Sequence, residues 1–173
     1  TFLNRNVTSQ NSKKKVKKSK KQIRILSGGQ TGVDRAALDF ALKNKLICGG
    51  WCPKGRIAED GRISDQYPLT EASVSSYSWR TELNVRDSDA TLVIYSGALG
   101  NGTELTIKKT QSQGKPLMLI DLDNNNELVF ENFVSWINAN NVETLNIAGP
   151  RESTNQGIYL KTIKLLEKII VLT

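Results

Sequence analysis

The chain has 173 residues, which is enough for one domain with a substantial core and leaves little room for a second. Its net charge of +7 is concentrated in residues 1–22, which contain eight bases and no acid. Residues 23–173 then hold 16 bases and 17 acids. Because this body of the chain is nearly neutral, its charge does not favour nucleic-acid binding.

Residues 1–22 are predicted to form a disordered basic tail, because they contain almost no apolar residue to bury. A localisation signal or a nucleic-acid contact is the alternative for this tail. No stretch approaches the roughly 18 apolar residues of a membrane span, so we expect a cytoplasmic protein with reduced Cys48 and Cys52. Histidine is absent, which excludes the usual zinc sites and His-dependent triads, and no metal site is predicted.

Downstream of the tail, short apolar runs alternate with helical patterns. In chain order, the sequence predicts a strand over 23–27, a helix from Val33, a strand over 46–50, a helix over 76–87, a strand over 90–96, a helix after Thr103, a strand over 116–121, a helix around 130–137, a strand over 143–149 and a closing helix over 158–170. The strands lack a polar face, which is typical of a parallel sheet covered on both sides. The predicted fold class is therefore α/β, a Rossmann-like three-layer sandwich with a central parallel sheet, formed by residues 23–173 as a single ligand-binding domain.

The connection over residues 49–69 has no clear periodicity and is much longer than the few residues that usually join a strand to the next element. It carries three bases and three acids, among them Lys54, Arg56, Glu59 and Asp60. We expect a lid or a ligand-gripping loop, in which Lys54 and Arg56 assist binding. A plain surface excursion is the alternative.

Three turns that follow predicted strands carry glycine and small polar residues. In a parallel sheet such turns meet at one edge, where the helix N-termini present free N–H groups. Glycine lets the backbone approach an anion closely, and a hydroxyl or an arginine adds a donor. The turns therefore predict an anion-binding crevice whose residues are, turn by turn, Gly28, Gly29, Gln30, Thr31 and Gly32, then Gly100, Asn101, Gly102 and Thr103, and finally Gly149, Arg151 and Ser153.

Two charged residues on the predicted helices are interpreted differently. Arg80 has no acid four positions before or after it, so it is free of a local ion pair and is predicted to reach the ligand. Asp34, in the first helix, is predicted to be solvated.

Five separated segments resemble the molybdenum carrier family: SGGQTGVDRAALD, GGWCPKGRIAEDG, YPL, RTELNVRDSDATLV and GNGTELT. That family is similar to the molybdenum-cofactor carrier proteins and to the Lonely Guy-like (SLOG) nucleotide-binding superfamily. The resemblance covers residues 23–170 and implies a Rossmann-like fold with a bound anionic ligand. The ligand it implies is the molybdenum cofactor (molybdopterin), a pterin with a phosphate ester and a molybdenum-oxo group. It also implies homo-oligomers, and molybdenum enzymes or cofactor-synthesis proteins as partners.

Lonely Guy proteins carry a catalytic arginine, an S-D-A-like stretch and a G-G-x-G-T-x-x-E turn, in that order. Arg80, residues 88–90 and residues 100–103 resemble these motifs, but Thr106 stands where the final acid is expected. Glu104 is close in sequence, yet it points about 200° away around a helix of 3.6 residues per turn. The segment from residue 146 onward resembles the opening strand-turn-helix of those proteins, so the resemblance implies a circular permutation.

The leading hypothesis is therefore a storage or carrier protein that binds the molybdenum cofactor and has no catalytic residues. The alternative is a nucleotide-hydrolysing enzyme of the Lonely Guy type, in which Arg80 and Glu104 would be catalytic and Glu59 or Asp60 could also serve as the acid or base. A nucleotide-sensing module is a third possibility, which would bind its ligand without turnover.

Overall fold

The computed structural model describes residues 22–124 and 127–170, so the predicted basic tail lies outside the described residues except for its last position. The helices in this part of the chain are α1 (Val33–Lys43), α2 (Tyr77–Arg86), α3 (Asn101–Ser112), α4 (Val129–Ala139) and α5 (Ile158–Ile169). The strands are β1 (Arg24–Leu26), β2 (Cys48–Gly49), β3 (Trp51–Cys52), β4 (Ile57–Ala58), β5 (Gly61–Arg62), β6 (Thr70–Glu71), β7 (Ala90–Tyr95), β8 (Leu117–Asp121) and β9 (Thr144–Ala148).

The centre of the molecule is a five-stranded parallel sheet in the order β2-β1-β9-β7-β8. Residues 90–94 of β7 and 145–148 of β9 are buried, as expected for apolar strands covered on both faces. Helices α1, α4 and α5 pack together, and α2 packs against α3. The predicted α/β fold and its five core strands are confirmed.

The order of the strands shows the permutation. Strand β9 is the last in the chain, yet it lies between β1 and β7. If β9 and α5 preceded β1, the same sheet would have the order 3-2-1-4-5, which is that of doubly wound nucleotide-binding folds. In such sheets a ligand binds at the carboxyl edge where the strand order reverses, which here lies between β9 and β7.

The long connection is ordered and shares a small apolar cluster with α1. Strands β3 and β6 pair at its base, and β4 and β5 form a hairpin. We call residues 53–69 between β3 and β6 the hairpin loop. Ala58, Ile63 and Tyr67 of this loop pack in one cluster with Cys52 of β3 and Leu38 of α1.

Arg56 was predicted to assist a ligand, but in this structure its guanidinium is the polar centre of the hairpin loop. The residue is 7% exposed, and its guanidinium donates to backbone carbonyls at 2.8–3.1 Å. The acceptors are the carbonyl oxygens of Ile63, Ser64, Tyr67 and Leu69. Because four of its five N–H groups donate to the loop backbone, Arg56 holds the loop in shape.

Candidate functional site

A cavity of about 400 Å³ opens at the carboxyl edge of the sheet, beside the ends of β7 and β9. This volume is within the range of small-molecule sites. The turns after β1, β7 and β9 and the first turns of α2 and α3 form its wall. Among the predicted ligand-binding residues, those that the structure brings to this wall are Gln30, Arg80, Gly100, Asn101, Gly102, Thr103, Gly149 and Arg151.

The N-terminus of α3 faces the cavity, and no group in the part of the chain that the structure describes caps it. Its N-cap, Gly100, makes no side-chain cap, and the N–H groups of Asn101, Gly102 and Thr103 have no acceptor among the described residues. Thr103 is itself buried, with 4% exposure. Free N–H groups and the helix dipole together favour an anion at this point.

The N-termini of α1 and α5, at the same edge, are closed by protein groups. In α1 the N–H of Val33 donates to the carbonyl oxygen of Pro150 at 3.2 Å. In α5 the N–H groups of Gly157 and Tyr159 donate to the carboxylate of Glu152 at 2.5 and 3.0 Å. Of the three predicted anion turns, only the one before α3 therefore offers an open helix end.

The three glycines of the turn after β1 pack closely against other residues in this structure and do not line the cavity. A Cβ at Gly28 would lie 1.9 Å from Nη1 of Arg80. At Gly29 it would lie 2.6 Å from a methyl of Leu69, and at Gly32 2.4 Å from the Pro150 carbonyl oxygen. The structure does not place these three glycines where they could cradle an anion.

Arg80 reaches the cavity wall as predicted, but it is paired with an acid. Its Nη1 lies 3.2 Å from Oδ2 of Asp34, which is 2% exposed and also lines the cavity. The prediction that Asp34 is solvated is wrong, because the turns after β1 and β9 and helix α2 cover the start of α1. Burial raises the pKa of Asp34, and the positive charge of Arg80 opposes this rise only in part.

Two buried donors of the cavity wall lack an acceptor in the part of the chain that the structure describes. They are Nε of Arg80 and Nε2 of Gln30. The other amide atom of Gln30, Oε1, accepts from the N–H groups of Thr31 and Glu59 at 3.0 and 2.9 Å, which fixes the amide. A buried donor without a partner costs about 1–3 kcal/mol, so both donors would gain from an acceptor brought by a ligand.

Thr31 and Ser153 are not in the cavity wall, but they are next in the chain to the wall residues Gln30 and Thr154. They lie at what we call the rim of the cavity, and they face an internal carboxylate. Both hydroxyls donate to Glu59, at the tip of the hairpin loop, and the N–H of Ser153 donates to it at 3.2 Å. Arg151 adds a guanidinium nitrogen at 3.8 Å. Lys54 is exposed and does not line the cavity.

Tyr77 is a wall residue that the sequence analysis missed. The guanidinium carbons of Arg80 and Arg151 lie 5.9 and 5.8 Å from its ring centroid, within the range of cation–π contacts. Tyr77 precedes Arg80 by three positions on α2, so the two side chains share one helix face. That spacing was a signal in the sequence that could have identified Tyr77.

The three acids considered for a hydrolytic mechanism do not line the cavity. Glu104 is exposed on α3, and Asp60 accepts from Arg35 at 3.0 and 3.2 Å. Glu59 is held on the rim by Thr31 and Ser153. Among the described carboxylates, Asp34 is the one in the cavity wall.

The described residues contain no group of three or more histidine, cysteine, aspartate or glutamate side chains arranged to hold a metal. Burial raises the pKa of both thiols, Cys48 and Cys52, so the thiolate forms that bind metals are disfavoured. None of the described helices has the length and hydrophobicity that a membrane span requires.

The sheet order and the cavity at its reversal point define a permuted Rossmann-like domain. In agreement, residues 25–170 match the circularly permutated YpsA SLOG family, cpYpsA, and the chain belongs to that family. It is also similar to the 1.45 Å crystal structure of a putative molybdenum carrier protein from Syntrophus aciditrophicus SB. The two share 45% sequence identity and a TM-score of 0.82, over 87% of this chain and 96% of the other. No curated protein shows significant sequence similarity.

Proposed function

We propose that the cavity binds a phosphate-bearing anionic ligand and stores or carries it without turnover. The observation that carries this proposal is the open N-terminus of α3 beside two donors without acceptors, Nε of Arg80 and Nε2 of Gln30. Three backbone N–H groups and a guanidinium can bind the oxygens of one phosphate together. The same cavity edge is where doubly wound folds hold nucleotides and related ligands.

The ligand that we propose is the molybdenum cofactor. Its support is the relative from Syntrophus aciditrophicus, which is named as a putative molybdenum carrier protein. The phosphate ester of the cofactor would take the α3 end of the cavity, and Tyr77 and Arg151 of the cavity wall would contact the pterin. Delivery to molybdenum enzymes or receipt from cofactor-synthesis proteins would then be the protein's role, and the homo-oligomer and the cytoplasmic location stay predictions.

Hydrolysis of a nucleotide at the same cavity is the second candidate function, and Asp34 is the observation that favours it. Its carboxyl is buried in the wall with a raised pKa, as is common for general acids. If this function holds, release of the base from a nucleoside monophosphate should be measurable and should disappear in Asp34→Asn. A protein that binds the nucleotide but releases no base would contradict it.

The experiment that tests the carrier proposal is identification of the ligand that copurifies with the protein. The protein would be made in a host that synthesises the molybdenum cofactor, and native mass spectrometry would be combined with metal analysis. We expect a pterin phosphate and molybdenum in equal amounts. Recovery of a nucleotide with neither pterin nor molybdenum would contradict the proposal.

A further inference from the structure

Four donor groups from two different turns converge on one carboxylate at the cavity rim. The hydroxyl of Thr31 follows β1, and the hydroxyl and N–H of Ser153 follow β9. The guanidinium of Arg151 lies 3.8 Å from the same carboxylate, that of Glu59. Hydroxyls, a backbone N–H and an arginine are also the donors that proteins use for phosphate oxygens.

Glu59 lies at the tip of the hairpin loop, and polar contacts attach this tip to the rest of the molecule. Its N–H donates to Gln30, and the adjacent Asp60 pairs with Arg35 at 3.0 Å. The base of the loop is held differently, by the four carbonyl contacts of Arg56 and by buried apolar side chains such as Ile63. The carboxylate of Glu59 is held by hydrogen bonds and an ion pair alone, so its side chain can swing out while the loop, with the buried Ala58 beside it, stays folded.

We infer that Thr31, Arg151 and Ser153 form a second anion site, which Glu59 occupies in the free protein and from which a phosphate group can displace it. Glu59 is then an internal competitor that covers the site until an external anion arrives. We call these three residues the rim site. The inference does not depend on the identity of the ligand in the cavity.

The rim site stabilises negative charge. Burial by itself would raise the pKa of Glu59, but the hydrogen bonds from Ser153 and Thr31 and the charge of Arg151 outweigh it, so the pKa is lowered. Glu59 is thus an anion at neutral pH, and the site is matched to an anion.

Arg151 connects the rim site to the cavity, because it lines the cavity and also faces Glu59. While Glu59 is in place, it neutralises part of the charge of Arg151. The apparent association constant of the rim site for an external anion equals its intrinsic association constant multiplied by the fraction of molecules in which Glu59 has left. If that fraction is about 1%, the reduction is about a hundredfold. A ligand with two anionic groups could use the α3 end and the rim site together.

Titration with inorganic phosphate tests the inference, with the full chain and calorimetric or NMR detection. Glu59→Ala removes the competitor, so we expect the dissociation constant for phosphate to fall at least fivefold relative to the unmodified protein. Glu59→Gln removes the charge but keeps the length of the side chain, and a gain of at least twofold is expected. Asp65→Asn is the matched control, because this exposed carboxylate lies in the same loop and pairs with Arg62 at 2.8 Å, and it should leave phosphate binding unchanged.

Two double variants separate the rim site from the cavity. Adding Ser153→Ala to Glu59→Ala should remove most of the gain, whereas adding Arg80→Gln should leave the gain in place. The inference is overturned if neither Glu59 variant binds phosphate more tightly than the unmodified protein. It is also overturned if Arg80→Gln abolishes the gain, since phosphate would then sit in the cavity. Failure of the carrier proposal alone would leave these results unchanged.

Discussion

A side chain at Gly28 would collide with the group that we place nearest the ligand. Its Cβ would lie 1.9 Å from Nη1 of Arg80 and 2.9 Å from Oδ2 of Asp34. Because Asp34 is rigidly held at the start of α1, Arg80 is the side chain that would have to move. The contact explains why glycine suits this position although its backbone dihedral φ is not in the left-handed region.

We expect Gly28→Ala to weaken binding of the copurifying ligand strongly and to cost about 1–3 kcal/mol of unfolding free energy through overpacking. Ligand occupancy by mass spectrometry and denaturant unfolding measure the two effects. Gly49→Ala is the matched control, since its Cβ would meet nothing closer than 3.4 Å and it lies outside the cavity wall. Equal ligand occupancy in the two variants would contradict the positioning of Arg80 by Gly28.

The lowered pKa of Glu59 predicts a pH-dependent attachment of the loop tip. Because the ionised form is favoured in the folded protein, the stabilisation is fully present above pH 4.5 and is lost as the pH falls below that value through the folded pKa. Unfolding midpoints of the unmodified protein and Glu59→Gln should differ at pH 7 and approach each other as the pH falls below 4.5. A difference that stays constant over this range would contradict the prediction.

At the residue scale, the sequence predicted the polar turn residues but not their partners. Gln30, Arg80 and the glycine turn before α3 were predicted for the cavity, and they lie there. Asp34 was missed because its partner Arg80 is 46 positions away, and no local spacing reveals a pair of that kind. Arg56 was misinterpreted for the same reason. The neighbouring residues do not distinguish a buried arginine from an exposed one, because burial depends on how the whole loop folds.

The hairpin loop depends on Arg56 more than on any strand pairing, since its sheets have only two residues per strand. Replacing Arg56 with lysine keeps the charge but puts three donors on a single nitrogen, which cannot reach all four carbonyl oxygens, so some stay unpaired at about 1–3 kcal/mol each. We expect hydrogen exchange at Ile63 and Leu69 to become at least tenfold faster while β7 and β9 keep their protection.

Arg62→Lys is the control for this experiment, because Arg62 lies in the same loop, its side chain is 59% exposed and its ion pair is with the exposed Asp65. It should leave the exchange rates of the loop nearly unchanged. Uniform acceleration across the whole molecule in Arg56→Lys would show that Arg56 supports the global fold and not the loop.

At the element scale, the helices and core strands could be predicted because each has a local periodicity. Which helix N-termini are closed by other protein groups, and which stay open, could not be predicted. Pro150 closes the N-terminus of α1 from a turn that is more than 100 positions later in the chain. The sequence shows that a glycine turn precedes a helix, but which helix end stays open depends on the packing of the turns against each other.

The whole molecule has the strand order of a doubly wound fold whose first unit has moved to the end of the chain. A chain that begins at Asn141, continues through α5 and is joined to residue 22 through residues 171–173 and 1–21 should restore the unpermuted order. The end of α5 and the start of β1 lie at the same edge of the sheet, opposite the cavity, so the connection is feasible.

We expect this rearranged chain to unfold cooperatively, with a Tm within about 4 °C of the original, because the length of a connection changes stability only slightly. Circular dichroism during heating measures both properties. Loss of the cooperative transition would show that the connection between α4 and β9 contributes to the fold in a way that strand order does not explain.

The central claim for the whole molecule is that the ligand binds at the open end of α3 beside Arg80. The most direct measurement is the amount of copurifying ligand per chain in Arg80→Gln and in Arg86→Gln, by mass spectrometry and metal analysis. Both arginines lie on α2, but Arg86 pairs with Asp87 on the surface and does not line the cavity. We predict at least a tenfold loss of ligand in Arg80→Gln and unchanged occupancy in Arg86→Gln. Equal occupancy in the two variants would contradict the claim.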